Sequence, residues 1–448
     1  IDIDDALTVN GLNGNFDGTI TIDGNNGSDS LFVDADDSAG RFDNLIALDN
    51  VTIQNIESTT ITVNRAPLNE FDMADLGGTT SFGFIAGDNN GDNVTATAEN
   101  LSADFDLRFE DDGSGDDLGN VTINGIADGS GQTSLDVTLQ ADVDATNGDF
   151  DQESTIGNLS VDTIEDLTII STGDAPLDDP DQGDLDVEEN VIGDIQATDG
   201  SGNDTLSSLT VDAEVNLSAD GNTVNLVDSE AATSDVVDIN LMGDGSIDLG
   251  TLVTDSNLNG LSVTNSGGGD RELDVGGTVA DFKNDGSATN QAAGEGITID
   301  GAGDGTFIVQ GEDAQLDELK VDASTSAATV IVDILNGGVN SVDTGNFSGV
   351  SEIRLNNDLG GQTVSNIAEG NTVRVQAAQA GALTLNGSGG AMSVVLENDS
   401  DLAGGALSPE DVADLTVAAN DSDSTVAGIA SASQAGRDLL DTLTLSAT

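Results

Sequence analysis

The chain has no cysteine, histidine, tryptophan or tyrosine, and its 448 residues include nine lysines and arginines and four prolines. Without cysteine there is no disulfide, no thiolate metal site and no cysteine nucleophile. Without histidine there is no Ser-His-Asp triad, no histidine-ligated zinc and no imidazole base. So few cations cannot track a phosphate backbone, which makes nucleic acid a poor partner, and bare anionic membrane repels such a chain. No apolar run approaches the roughly 18 residues of a membrane-crossing helix, so membrane insertion is not expected. No secretory signal is visible, and a start at Ile1 rather than Met reads as a processed or truncated start.

What the chain has is acid. Asp and Glu number 84 against nine cations, a formal net charge of −75. Eighteen of the acids are Glu and 66 are Asp. That ratio favours turns and caps over helices. Such a charge raises the question of disorder, but 36% of the residues are hydrophobic, and Val, Ile and Leu alternate with Thr as in half-buried strands. Thr19-Ile20-Thr21-Ile22-Asp23, Ile61-Thr62-Val63 and Leu135-Asp136-Val137-Thr138-Leu139 show the period of two. The expected class is therefore all-β, with helix below about a fifth of the chain. Two short helices are expected near the C-terminus: one turn opened by Ser408-Pro409-Glu410-Asp411, and one from Ile429 to Leu439.

A hexamer recurs: an aliphatic residue, two small or polar residues, then alternating aliphatics. Copies include Leu48-Asp49-Asn50-Val51-Thr52-Ile53, Leu118-Gly119-Asn120-Val121-Thr122-Ile123 and Ile156-Gly157-Asn158-Leu159-Ser160-Val161. Others begin at Ile164, Leu206, Leu258, Leu316, Val350, Val412 and Leu440. The spacing is loose. This suggests parallel β-solenoid rungs of unequal length, in which the first aliphatic anchors a corner and the next two point inward. Tandem β-sandwich (Ig-like) modules are the alternative. Asn64-Arg65-Ala66-Pro67 reads as a joint, and residues 174–189, with Pro176 and Pro180, as a linker. The expected division is a β region at 1–66, β modules of sandwich-like character at 67–200, and a solenoid-like region at 201–448. Phe82, Phe84, Phe105 and Phe109 are expected in the core of one β module.

The candidate metal ligands lie in oxygen-rich glycine turns. These are Asp23 and Asp29, then Asp112, Asp116 and Asp117, then Asp199, Asn203 and Asp204, and finally Asp300 and Asp304. Asp88, Asn90 and Asp92 add oxygens at alternating positions. Glycine permits the bend and Asp oxygens suit a hard cation such as calcium. The same residues are also ordinary turn formers. No turn carries the distal Glu of an EF-hand. Glycoside hydrolysis needs two carboxylates, but the usual aromatic sugar platforms are missing. Gly267-Gly268-Gly269 lacks the lysine of a phosphate loop. No catalytic residue is assigned, and no enzyme activity is expected.

The hexamers, the turn at 199–206 and the cysteine-free acidic composition resemble surface-layer proteins of Gram-negative bacteria. The resemblance is to their calcium-dependent β-solenoid kind with RTX-like turns, often exported by type I secretion. The tandem nonapeptides of the RTX class are missing, and no lattice-anchoring segment can be picked out. The resemblance implies a two-dimensional lattice on the bacterial cell surface, homo-oligomeric, assembled through Ca2+ and attached to lipopolysaccharide or another surface glycan. An extracellular adhesin or matrix filament of calcium-binding β modules is the second reading.

Overall fold

The computed structural model describes residues 6–10, 20–24, 28–34, 51–63, 70–72, 76–77, 81–86, 94–101, 106–111, 118–126, 134–141, 153–173, 189–198, 204–226, 236–253, 260–275, 296–316, 319–335, 341–356, 363–379, 381, 383–397, 401–402, 407–420, 425–426, 428–429 and 440–447. Strands dominate them, interrupted by one α-helical turn, Asp313–Leu316, and one 3-10 turn, Thr344–Asn346. No helix among the described residues is long and apolar enough to cross a membrane. The chain divides into two compact units, one of residues 1–228 and 239–250, the other of 229–238 and 251–448.

In the first unit, strands Ala6–Asn10, Ser30–Asp34, Ser58–Val63, Ser81–Ala86, Asp106–Asp111, Ser134–Ala141, Asp166–Gly173 and Ser208–Ala213 pair in that order, all in parallel. A second parallel ladder runs from Glu70–Asp72 through Val94–Leu101 and Leu118–Ile126 to the paired segments Glu153–Ile156 and Leu159–Asp162, then Glu189–Ile192 and Ile195–Thr198. The two ladders alternate along the chain, so each pass adds one strand to both faces. This is a parallel β-solenoid. The sandwich alternative for 67–200 fails because its strands would pair antiparallel, whereas those described between 70 and 198 pair in parallel.

The hexamers are the corners. Leu118 registers with Ile156 and Ile156 with Ile192, while Val121, Leu159 and Ile195 register as a second column and Ile123, Val161 and Ala197 as a third. Ile164 and Leu206 are fully buried, and Leu167 with Ile169 lies against Leu209 with Val211 in the next rung. Each such aliphatic, fully buried, contributes about 1.5–3 kcal/mol. Phe82 registers with Leu107 and Phe84 with Phe109, on adjacent rungs; Phe105 lies outside the described residues.

One signal sits just before the hexamer. Asn55, Thr163 and Asp411 have positive φ and precede the buried Ile56, Ile164 and Val412; Gly349 does the same before Val350. The left-handed residue turns the chain so that the next aliphatic points inward. The following carbonyl then takes two N–H groups from the rung above: Glu165 O accepts from Ser207 and Ser208 at 2.8 and 2.9 Å, and Ala413 O from Asp441 and Thr442 at 2.8 and 3.2 Å.

The second unit repeats the scheme with short rungs. Strands Arg271–Asp274, Thr306–Gly311, Thr329–Ile334, Val350–Leu355, Thr372–Val375, Ala391–Leu396, Asp414–Ala419 and Thr442–Ala447 form one parallel ladder. Val332, Ile353, Val373, Val394 and Val417 stack in register and are buried. A four-stranded ladder runs from Ser341–Asp343 through Thr363–Ile367 and Thr384–Gly387 to Ser408–Glu410. The expected helix at 408–411 is therefore a strand. Leu385 registers with the buried Pro409, and the strand is the last of its sheet, where a missing N–H costs no ladder bond. Of the second expected helix, Ile429 bridges Leu407 in parallel and residues 430–439 lie outside the described residues, as do the 64–67 joint and nearly all of the 174–189 linker.

Thr163 is β-branched, exposed and at φ 60°, a conformation that strains an L-residue by roughly 1–2 kcal/mol and is eased for Asn. Asn already occupies the matching position 55. Thr163→Asn is expected to raise stability by about 1 kcal/mol in urea unfolding; a loss would contradict this account of the corner.

Candidate functional site

The candidate ligands divide sharply. Asp88, Asn90, Asp92, Asp112, Asp116, Asp117, Asp199 and Asn203 lie outside the described residues. Asp23 accepts hydrogen bonds from Gln54 Nε2 at 2.6 Å and Asn55 Nδ2 at 2.7 Å, which tie its corner to the next rung. Asp29 is buried; its N–H donates to Glu57 Oε2 at 2.8 Å and its carbonyl accepts from the N–H groups of Glu57 and Ser58 at 3.2 Å. Asp204 closes an antiparallel bridge with Thr198.

Asp300 and Asp304 are exposed, and Asp300 Oδ1 accepts from the N–H of Gly301 at 2.6 Å. Their glycines have a packing reason. A Cβ at Gly301, which has φ 118°, would strike the Asn265 carbonyl, and one at Gly303 the Gly267 carbonyl. Gly305 meets Gly269 in the same way. The turn 301–305 lies directly on 265–269 of the rung before. Beneath it Arg271 is 1% exposed and donates from Nε to Asn265 Oδ1 at 3.3 Å. Among the described residues no group of three acids stands close enough to hold a metal ion. The described turns alone therefore do not make a closed calcium site, and an ion there needs further oxygens.

The densest charged constellation was not singled out from the sequence. Arg354 Nε donates to Glu352 Oε1 at 2.8 Å, and Arg374 donates from Nε and Nη2 to the two Glu352 oxygens at 2.8 Å. Arg374 Nη1 also bonds Glu397 Oε1, which accepts from Asn420 Nδ2 at 3.1 Å. Asp333, Arg354 and Arg374 occupy one register row on successive rungs. Alternation places Glu352 and Arg354 on the same face, so that pair was legible. The cross-rung partner Arg374 required the register.

Burial raises the Glu352 carboxyl, but hydrogen bonds from Arg374 and Arg354, with their charges, outweigh it and hold the group below its ordinary value. Asp333 is the opposite case. It is 5% exposed, its Oδ1 has no hydrogen-bond partner among the described residues, and burial pushes its carboxyl up against the opposing charge of Arg354. The ladder is a structural clamp across three rungs with one strained carboxylate at its edge. It offers no nucleophile and no base aimed at a cavity.

No protein family, curated protein or solved structure matches the chain.

The two carboxyls give opposite pH signatures. Stability from Glu352 is present above its unfolded pKa of about 4.5 and is lost as pH falls through the lower folded value. The cost at Asp333 is absent below about 3.8 and grows as pH rises through the raised folded value. Glu352→Gln is therefore expected to destabilise at pH 7 by about 1–3 kcal/mol, with the deficit closing in acid. Asp333→Asn is expected to stabilise at pH 7, with the gain vanishing below pH ~4. Urea unfolding between these limits checks both; parallel pH curves for wild type and variants would contradict them.

Proposed function

We propose that the chain is a structural protein of a bacterial cell surface, an extracellular solenoid that self-assembles into a calcium-stabilised surface-layer lattice. The observation that carries this reading is where the charge sits. Among the described residues three acids, Asp29, Asp313 and Asp333, are buried, and the other acids whose burial is described face outward in whole or in part, in a chain of net charge −75. Register also sets acid opposite acid on adjacent rungs: Asp72 with Glu99, Asp106 with Asp136, and Glu153 with Glu189. Like charges directly opposite each other are destabilising, and a hard cation taking six to eight oxygens relieves them.

Two such faces repel across a Debye length of about 8 Å at physiological salt. Copies meeting side by side therefore need a divalent bridge. The exposed Asp300 and Asp304 are the described candidates to lend oxygens to an ion shared with a neighbouring copy. The anchor would be lipopolysaccharide or another surface glycan, by the resemblance in composition and hexamers. The second reading, an adhesin or matrix filament, draws on the same solenoid and differs in how copies join.

Calcium added at constant ionic strength is expected to drive side-by-side sheets, seen by light scattering and electron microscopy, and chelator to dissolve them. Magnesium is expected to substitute poorly, because it holds its waters and demands a tighter octahedron. Sheets formed equally well by sodium chloride would remove the bridging ion from the account.

A further inference from the structure

Strand Thr329–Ile334 is buried on both sides. Val330, Val332 and Ile334 point into the core, but the outward residues Ile331 and Asp333 are 4% and 5% exposed as well. Asp333 is thus a carboxyl on the outer face that water barely reaches, and its protein contacts are poor. Oδ2 meets Asn356 Nδ2 at 3.5 Å, the outer limit of a hydrogen bond, and Oδ1 has no partner among the described residues. Arg354, next in the row, is turned to Glu352, to which its Nε donates at 2.8 Å. A buried carboxylate oxygen left without a partner is costly, which points to a ligand at Oδ1.

We infer that a calcium ion binds on this face of the second unit, between the Gln310 carboxamide oxygen and Asp333 Oδ1, with Asp274 supplying a second negative charge and water the remaining oxygens. The ion lies within one copy, so the site stands apart from the lattice reading above and from the turn that carries Asp300 and Asp304.

Register selects the ligands. Asp274, Gln310 and Asp333 stand in line on three successive rungs, each flanked by an inward aliphatic, Leu273, Val309 and Val332. Asn356 follows Asp333 by one rung and holds Oδ2 to that side, which leaves Oδ1 to the side of Gln310. Parallel strands lie about 4.8 Å apart. An ion midway between oxygens at that separation is about 2.4 Å from each, the bond length of calcium and longer than the roughly 2.1 Å of magnesium. Charge selects the ion too. Glu272, two residues before Asp274 on the same face, deepens the negative potential at that end of the row. A proton alone would neutralise Asp333 but would make no use of Gln310 or Asp274. Two acids and a carboxamide are few ligands, so the affinity expected is weak, about 10⁻⁴–10⁻³ M.

The test is urea unfolding of the 448-residue chain at pH 7 and constant ionic strength, too dilute to assemble, in chelator and across a millimolar calcium titration. In chelator Asp333→Asn is expected to be more stable than the wild type, because it removes the bare charge. As calcium rises that gap is expected to shrink, since the ion stabilises the wild type by mass action and the variant binds it at least about ten-fold more weakly. Gln310→Met keeps the shape and removes the oxygen. It should leave stability in chelator nearly unchanged and weaken the calcium response, as Asp274→Asn should. A gap between wild type and Asp333→Asn that stays constant from chelator to saturating calcium overturns the inference, the carboxyl then holding a proton and no ion. So does a calcium response untouched by Gln310→Met, or magnesium acting as well as calcium. Sheets are scored separately at higher concentration. Calcium-driven sheets with a constant gap leave the lattice reading standing and remove this site; a shrinking gap without sheets does the reverse.

Discussion

The structure depends on one constraint: inward aliphatic side chains on successive rungs must register, because a slip of one residue would turn the whole apolar set outward and the acids inward. Parallel pairing satisfies it rung after rung. The column Val332, Ile353, Val373, Val394 and Val417 shows it within one unit, and Leu135, Leu167 and Leu209 within the other. Burying these columns offsets the ordering of a chain whose outer surface repels itself.

The price of register is paid at the corners and on the outer rows. Corners need a left-handed residue and close backbone contact, hence Asn55, Thr163 and Gly349 and the glycines at 301, 303 and 305 stacked on 265–269. Outer rows bring like residues within one strand spacing. In the second unit much of this is neutralised: Thr372, Ser393, Thr416 and Thr444 form a hydroxyl row, Ser348 Oγ donates to Asp322 Oδ1 at 2.7 Å, and Glu352, Arg354, Arg374 and Glu397 form a salt-bridged ladder. In the first unit Asp106 facing Asp136 remains, and there the proposed cations have most to do.

Much of this was legible. The hexamers at 164, 206, 316, 350 and 412 are corners with the inward residues expected of them, because alternation and a two-residue break are local; in the copy at 440 the expected inward Leu443 and Leu445 are exposed. Rung length was not legible. Loops of different length separate equivalent strands, so Ile169 and Val211 are one rung apart over a much longer stretch than Ile353 and Val373. The tetrapeptide at 408–411 has every local mark of a helix start and is nonetheless a strand, because Pro409 falls at a sheet edge in register with Leu385. The glycines at 301–305 suited a calcium turn and equally a corner pressed on the rung before; only the neighbouring rung distinguishes the two. The Arg374 clamp was invisible for the same reason: its partners are made adjacent by register alone.

The absence of cysteine makes register directly measurable. Thr372 and Ser393 are partly exposed and opposite each other on adjacent parallel strands, at a spacing of about 4.8 Å that lies within disulfide reach. Thr372 and Thr416 are two rungs apart. The double variant Thr372→Cys/Ser393→Cys should oxidise readily to an intramolecular disulfide with the fold retained, and Thr372→Cys/Thr416→Cys should not. Equal cross-linking of both pairs, or of neither, would contradict the in-register solenoid on which the account stands.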